Sequence, residues 1–480
     1  MSGEFPDRAY AKTVLAVNFA DFQRYFLEEL IEIHRAHLAM LAEQQIVSAD
    51  HARILLAALQ GLDIRELRAA PFDGSCEDFF FHVEERLACS CDPDAAARLH
   101  TARSRNDIAI TLYRMVIRRE ILDVVAGALT LRAALLGQAE KHRDSVMPAY
   151  THTQPAQPTV LAHYLMASVE MLERDVTRLR AAYRTVNRCP MGACAITTTG
   201  FPIDRSRTAY LLGFEDVLVN SYGAIASVDY ILETAGAVAA AMVNLGRLTQ
   251  DLLLWGMQEF RFLQLPDGFV QGSSIMPQKR NPVALEHSRI LASRAFAEAQ
   301  AVMTSLHNTP FGDIVDSEDD LQPLVLTMFQ DARRTLELVG ASLEHATFDT
   351  ARMRSRAAAQ FLTATELADT LVREANLSFR AAHQLVAQAV QAHPEDQTAS
   401  RIVDDLLQLA PGVAPRERLM AALDPQIFVE RRTISGGPAS AALTPELARA
   451  RQAQAGLSEW LEAQRARLRA AHEELLQWKV

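Results

Sequence analysis

Apolar side chains recur along residues 161–186 at spacings of three, four and seven residues, close to the 3.5-residue repeat of helices that pack side by side. The positions in this seam are Leu161, Leu165, Leu172, Val176, Leu179, Tyr183 and Val186. The pattern predicts one long helix that lies at a shallow angle against others in a bundle. No strand-type alternation of comparable length occurs in the sequence, which favours an all-α fold.

Glycine and proline are absent from four long stretches that are rich in residues of high helix propensity. These stretches are Asp7 to Gln60, Thr159 to Cys189, Val283 to Thr309 and Ala341 to His393. The segment Thr234 to Leu245 carries no charge, so a helix there must be buried on every side. It predicts either a central helix of a single-chain core or a bundle that other subunits complete.

Turn-forming residues cluster between these helices and divide the chain into three helical lobes. We predict an amino-terminal lobe over residues 1–105, a long central helix-bundle body over 106–350 and a carboxy-terminal lobe over 351–480. In an all-helical protein, the loops that join long helices carry the functional site.

The composition excludes several classes of function. The 480 residues include 48 Lys or Arg and 59 Asp or Glu, a formal charge of −11, which argues against nonspecific binding of nucleic acids. No uninterrupted apolar run reaches the roughly 18 residues of a membrane span. Residues 1–7 lack the basic and apolar regions of a signal peptide, so we expect a cytoplasmic protein.

Five cysteines without the spacing of zinc ligands predict ordinary reduced thiols. The sequence motifs of dinucleotide sites, P-loops and zinc hydrolases are missing as well. We therefore expect chemistry that side chains perform, without a metal ion or an organic cofactor.

A loop over residues 271–282 reads Q-G-S-S-I-M-P-Q-K-R-N-P and combines a glycine, two hydroxyls and two cations. Asn281 suits a helix N-cap and Pro282 the first helical position, which would place Glu286 on the second turn. Hydroxyls and cations beside the positive end of a helix form a ready anion site. A loop that only caps the helix is the alternative.

Two further loops carry unusual polar residues. Residues 100–107 read H-T-A-R-S-R-N-D, in which the arginines can bind a carboxylate or can belong to a solvated N-cap with a local Arg–Asp pair. Residues 150–158 read Y-T-H-T-Q-P-A-Q-P, where His152 is either structural or catalytic.

Taken together, these three segments match a known pattern: the chain resembles the fumarase/aspartase superfamily and, within it, the argininosuccinate lyase branch. Residues 272–282 match the signature loop of the superfamily, and residues 100–107 are similar to the H-T-G-R-S-R-N-D of that branch. The resemblance implies a homotetramer whose central helices form a 20-helix core, with loops of three subunits in each active site.

The resemblance also implies a reaction, because members of the superfamily eliminate an amine or water from a succinyl group and release fumarate. It implies that Ser273 removes the proton, and that Lys279 stabilises the carboxylate as it gains a second negative charge. His152, oriented by Glu286, would assist proton transfer to the departing nitrogen. The residues implied to contact the dicarboxylate substrate are Ser104, Arg105, Asn106, Thr151, Gln157, Ser274 and Asn281.

The amine half of the implied site departs from the branch pattern. His34 stands where argininosuccinate lyases have a serine that helps to hold the arginine end, and Pro155 stands where they have an arginine. The loop 309–323 lacks the tyrosine and lysine that grip the guanidinium. Its acidic residues indicate either a cationic amine or simply a solvated loop; they are Asp313, Asp316, Glu318, Asp319 and Asp320.

We therefore predict a carbon–nitrogen lyase that cleaves an N-substituted aspartate by anti β-elimination and releases an amine other than arginine. Ethylenediamine-disuccinate lyase, a relative in this branch, accepts such an aminopolycarboxylate. The alternatives are a true argininosuccinate lyase with a diverged amine pocket, a sister lyase acting on adenylosuccinate, aspartate or carboxymuconate, and a non-catalytic structural homologue.

Overall fold

The computed structural model of the chain describes residues 5–359, 361–392 and 398–480. Residues 1–4, part of the segment 1–7 in which no signal peptide is predicted, lie outside the described residues, as does His393. In chain order the α-helices are α1 Arg8–Tyr10, α2 Ala16–Tyr25, α3 Leu27–Glu43, α4 Ala49–Gly61, α5 Ile64–Ala69, α6 Phe79–Ser90, α7 Pro93–Arg98, α8 Arg105–Lys141, α9 Leu161–Val186, α10 Arg205–Leu211, α11 Ser221–Ala226, α12 Asp229–Gly256, α13 Val283–Leu306, α14 Gln322–His345, α15 Thr350–Ala358, α16 Ala364–Ala375, α17 Phe379–Ala392, α18 Ala399–Leu409, α19 Arg416–Ala422, α20 Pro425–Glu430 and α21 Ser440–Gln477.

Strands are short and pair only in twos within the described part of the chain. In chain order they are β1 Val146–Thr151, β2 Gln154–Val160, β3 Arg188–Cys189, β4 Asp216–Val217, β5 Leu263–Gln264, β6 Gln271–Gly272, β7 Arg280–Asn281 and β8 Thr347–Phe348. A π-helical turn at Ala11–Leu15 joins α1 to α2, and 3-10 turns lie at Asp267–Phe269 and Val315–Ser317. The predicted all-α class is confirmed.

Long helices α8, α9, α12, α13 and α14 pack along one another and form the central bundle. Each of the seven seam positions predicted in α9 is buried, with no more than 2% of its surface exposed. The 3.5-residue repeat therefore marked the face of α9 that enters the core. Ser104 caps α8, and Asp107 completes a capping box by accepting a hydrogen bond from the Ser104 backbone.

Helix α12 is not buried on every side within one chain, which argues against the single-chain alternative and leaves the bundle completed by other subunits as a prediction. Leu232 and Val243 have 36% and 44% of their surface exposed, and with the partly exposed Gly236 and Ala239 they form a strip at helical spacing. The reason is that the neighbouring helices of the same chain cover only part of its circumference.

One helix among the described residues, α12, is long and apolar enough to cross a membrane by length and composition alone, with a mean hydropathy of 1.2. Half of that apolar window is buried inside the chain. A buried core helix has the same length and composition, and charged residues such as Glu233 and Arg247 interrupt the apolar run.

Two hydrophobic clusters form the interior of the described part of the chain. The larger one runs through the amino-terminal helices and the bundle and includes α21, and buried Arg132 of α8 donates to the Ala450 carbonyl of α21 at 3.0 Å. Within the described part of the chain, the buried members of the smaller cluster all lie between residues 367 and 422. The boundaries at residues 105 and 350 stay a prediction.

Two local predictions were wrong. The segment 150–158 belongs to an antiparallel hairpin of β1 and β2 rather than to a loop. Its prolines are tolerated because a two-stranded ribbon leaves outer edges unpaired. Helix α13 begins at Val283, with Asn281 in the extended strand β7, so Asn281 does not cap the helix and Glu286 lies in the first turn.

Candidate active site

The first predicted segment, residues 100–107, forms the tight entry to α8. Ala102 has a left-handed φ of +61°, a conformation that suits glycine better than alanine. The Ser104 hydroxyl accepts from the Asn106 backbone, so the capping interpretation of this serine is correct. The local Arg–Asp pair is different from the one expected, because Arg105 donates to Asp78 at 2.7 Å and to Glu77 at 3.3 Å.

Acidic residues surround this helix end. Asn106 Nδ2 donates to the Asp313 carboxylate, and the buried Tyr113 hydroxyl donates to Asp319 at 2.6 Å. A cavity of about 280 Å³ opens between these groups. Its polar lining consists of Glu77, Asp78, Arg105, Asn106, Tyr113, Asp313, Glu318 and Asp319, together with Tyr10 and Asn18. We call it the acidic cavity.

Burial is the main electrostatic influence on the acidic cavity. It raises the pKa of Glu318 to about 8, and the neighbouring Asp313 and Asp319 carboxylates raise it further. Burial also raises the pKa of Asp313 and of Asp319. A cation placed in this cavity would favour the ionised forms of these carboxyls, because an opposite charge nearby lowers the pKa of a carboxyl group.

The second predicted segment forms the tip of the β1–β2 hairpin. His152 and Thr153 are its two turn residues, with φ of 51° and 63°, as a two-residue type I′ turn requires. Thr151 and His152 are exposed there. Gln157 lies further along β2, where its amide donates to the Thr365 hydroxyl at 3.1 Å.

The signature loop lies between the paired strands β6 and β7 and projects from the start of α13. Ser273 Oγ accepts hydrogen bonds from the backbone N–H groups of Ile275 at 3.3 Å and Met276 at 3.0 Å. Ser274 and Lys279 are exposed. Lys279, Asn281 and Glu286 line a common cavity below the loop.

Among the described residues, no hydrogen bond or ion pair joins the three predicted segments, which are the α8 entry, the hairpin tip and the signature loop. In particular, the predicted contact of His152 with Glu286 is not made inside the chain. Each group is held instead by its own neighbours, and the hairpin tip and signature loop present their polar side chains outward.

Asp107 supports the site in a way that its position in the sequence did not predict. The carboxylate of Asp107 accepts from the backbone N–H groups of Ser104, Gly192 and Cys194, each at 2.9 Å, and so ties the α8 entry to a distant loop. Burial raises its pKa to about 6, although these donors oppose the shift. The S-x-x-D spacing was the one available signal for this residue.

Comparison with known proteins identifies the family to which the chain belongs. A family model described as "Lyase" matches residues 43–297, and one described as "Argininosuccinate lyase C-terminal" matches residues 361–430. Argininosuccinate lyase 2 of Agrobacterium fabrum is 42% identical, over 91% of this chain and 89% of the relative. Argininosuccinate lyase of Methanoculleus marisnigri is 37% identical, over 95% of this chain and 93% of the relative.

Solved structures agree with the sequence relatives. EDDS lyase in complex with formate superposes with a TM-score of 0.87 at 30% identity, covering 98% of this chain and 97% of that one. The 3-carboxy-cis,cis-muconate lactonizing enzyme of Pseudomonas putida shares the fold, with a TM-score of 0.73 at 18% identity over 91% of this chain and 99% of that one. The chain is a fumarate-forming carbon–nitrogen lyase and belongs to the argininosuccinate lyase branch of the fumarase/aspartase superfamily.

Proposed function

We propose that this lyase cleaves an N-substituted aspartate whose amine part is cationic, and that the amine released is not arginine. The observation that carries the proposal is the hydrogen bond from Asn106 to Asp313. It places a residue proposed to hold the dicarboxylate half directly beside the acidic cavity. A substrate bound at Asn106 would therefore extend its amine substituent among carboxylates, where a cation is favoured.

The elimination begins when Ser273, as its oxyanion, takes the proton beside the carboxylate of the succinyl half and becomes a hydroxyl. The electron pair of that C–H bond moves onto the carboxylate, which gains a second negative charge, and then forms the double bond of fumarate as the C–N bond breaks. The nitrogen takes a proton with assistance from His152, and Glu286 orients this imidazole. The two backbone donors at Ser273 Oγ support its role, because they favour the oxyanion form of the hydroxyl.

The remaining site residues hold the charge and the substrate. Lys279 and Asn281 stabilise the doubly charged carboxylate, since fixed positive and N–H groups act where charge develops. The groups that hold the dicarboxylate half are Ser104, Arg105, Asn106, Thr151 and Ser274, with Gln157 as a weaker contact.

The site is completed by neighbouring subunits of a homotetramer. The lack of hydrogen bonds and ion pairs between the three segments among the described residues of one chain supports this arrangement, because the reaction requires them within contact distance of one substrate. The exposed apolar strip of α12 and the exposed Ile290 of α13 supply a surface for the bundle contact. In the assembled enzyme, His152 and Glu286 would come from different chains.

The experiment that tests the proposed substrate class is fumarate release, followed by ultraviolet absorbance, from argininosuccinate and from a panel of N-substituted aspartates. We expect aspartates with an ammonium group on the substituent to exceed neutral N-alkyl analogues by about tenfold in kcat/KM. Robust turnover of argininosuccinate would overturn the exclusion of arginine. Argininosuccinate is the second candidate substrate. It is favoured because the relatives at 42% and 37% identity are named argininosuccinate lyases, and the guanidinium of argininosuccinate is also a cation.

Replacing Glu318 by Gln removes one carboxylate from the acidic cavity. We expect kcat/KM for the cationic substrates to fall about 10–100-fold, while the neutral analogues change little, because only the former lose a charged partner. Since the pKa of Glu318 is raised to about 8, its carboxylate forms as the pH rises through that value. KM for cationic substrates should therefore decrease between about pH 7 and 9 in the wild type, and Glu318→Gln should flatten the decrease.

The matched control is Asp316→Asn, which removes a charge from the same loop at an exposed position outside the cavity lining. It should leave both kcat/KM and its pH dependence unchanged. Equal losses for cationic and neutral substrates in Glu318→Gln would contradict a cation site in the acidic cavity.

A further inference from the structure

His34 does not face the acidic cavity, although its position in the sequence corresponds to a substrate contact in relatives. It lies on α3 with no surface exposed. Its Nδ1 is 2.8 Å from Nη1 of Arg103, and its ring meets the Phe80 ring edge-on at 5.9 Å. Phe80 lines the acidic cavity, so His34 lies one layer behind the cavity wall.

The contact with Arg103 determines the tautomer and the protonation state of the His34 imidazole. A guanidinium can only donate, so Nδ1 of His34 must accept, and the ring proton lies on Nε2. Burial lowers the pKa of His34 well below its usual value, and the Arg103 charge lowers it further, so the ring stays neutral. A second Arg103 nitrogen donates to Glu84 at 2.9 Å, and the Arg103 guanidinium is fully buried. His34 thus supplies an acceptor that a buried cation requires.

Arg103 in turn controls the backbone that presents the dicarboxylate-binding residues. It directly precedes Ser104, Arg105 and Asn106, and it follows Ala102, whose left-handed backbone is unfavourable for alanine. Such a conformation persists only where the surroundings hold it. The holding contacts are the Cys194 thiol on the Ala102 carbonyl at 3.2 Å and the His34 and Glu84 contacts of Arg103.

We propose that His34 is a positioning residue: it holds the Arg103 guanidinium and thereby sets the α8 entry in the geometry that binds the dicarboxylate half of the substrate. The inference rests on the proposed function for its catalytic readout. It assigns this histidine to alignment of the α8 entry and not to recognition of the amine.

The test compares His34→Leu, His34→Asn and Leu41→Ala in the full-length enzyme. Leucine removes the acceptor at similar volume, whereas the asparagine amide oxygen can still accept from Arg103. We expect His34→Leu to raise KM about tenfold for cationic and neutral substrates alike, with a smaller change in kcat, because ground-state and transition-state binding weaken together. His34→Asn should restore KM to within about threefold of the wild-type value.

Leu41 is a fully buried residue of the same helix that has no polar group, so Leu41→Ala controls for lost packing. It should lower the melting temperature without a change in KM. The inference is overturned if His34→Leu leaves KM unchanged, if Leu41→Ala raises KM equally, or if asparagine gives no rescue.

Hydrogen exchange separates a failure of this inference from a failure of the proposed function. If no N-substituted aspartate releases fumarate, the proposed function fails, and exchange across residues 100–107 decides the positioning role by itself. Faster exchange in His34→Leu than in Leu41→Ala and His34→Asn supports the role, whereas equal exchange in the three variants overturns it.

Discussion

Replacing Ser273 by Ala should lower kcat on the order of 10³-fold, the contribution typical of a positioned general base. The Ser273 hydroxyl is only partly exposed and accepts hydrogen bonds from two backbone N–H groups. Alanine removes the oxygen that these donors would stabilise as an oxyanion. The measurement is fumarate release under substrate saturation, together with the oligomeric state by light scattering, which should not change.

Ser293→Ala is the matched control, because among the described residues the hydroxyl of this exposed serine of α13 donates only to the Arg289 carbonyl. It should retain the wild-type kcat. If Ser273→Ala retained it as well, the base would have to be another group. A wild-type enzyme without turnover on the whole panel would instead point to the non-catalytic homologue.

The second large effect is expected for Lys279→Met, which should lower kcat by about 10²–10³ with little change in KM. The reason is that a cation that acts on the doubly charged carboxylate contributes mainly in the transition state. Within the described residues Lys279 has no ion-pair partner, so its charge is available to a ligand. Steady-state kinetics across the panel provide the measurement.

The neighbouring Arg280 offers the control. It is engaged with Asp267 at 2.6 Å and with the Leu265 carbonyl at 3.2 Å, so Arg280→Met should change kcat by less than about fivefold. Equal losses in the two variants would indicate that loop structure, and not a specific cation, determines the rate.

Local periodicity made the helical part of the fold predictable. The seam of α9 and the Ser104 cap depend on residues close in sequence, and both are found as expected. The hairpin at residues 146–160 was missed because His152 and Thr153 carry no glycine or asparagine to signal left-handed backbone. The uncharged segment of α12 left two alternatives open because residue composition does not reveal which neighbours belong to the same chain.

The candidate site was predictable as three segments but not as an arrangement. The acidic cavity joins residues near 77, 105 and 318, and no local pattern links positions so distant in sequence. His34 illustrates the same limit, because its alignment with a substrate-binding serine could not show that the ring turns toward Arg103. Which side a buried polar group faces depends on tertiary packing.

The smaller hydrophobic cluster, formed by residues 367–422, has a consequence for local unfolding of the molecule. A region with an apolar centre of its own can loosen while the long bundle keeps its packing. The Gln157–Thr365 hydrogen bond connects this region to the strand that follows His152. Thermal softening of the carboxy-terminal part would thus reach the hairpin tip before the bundle melts, and heat would impair catalysis ahead of global unfolding.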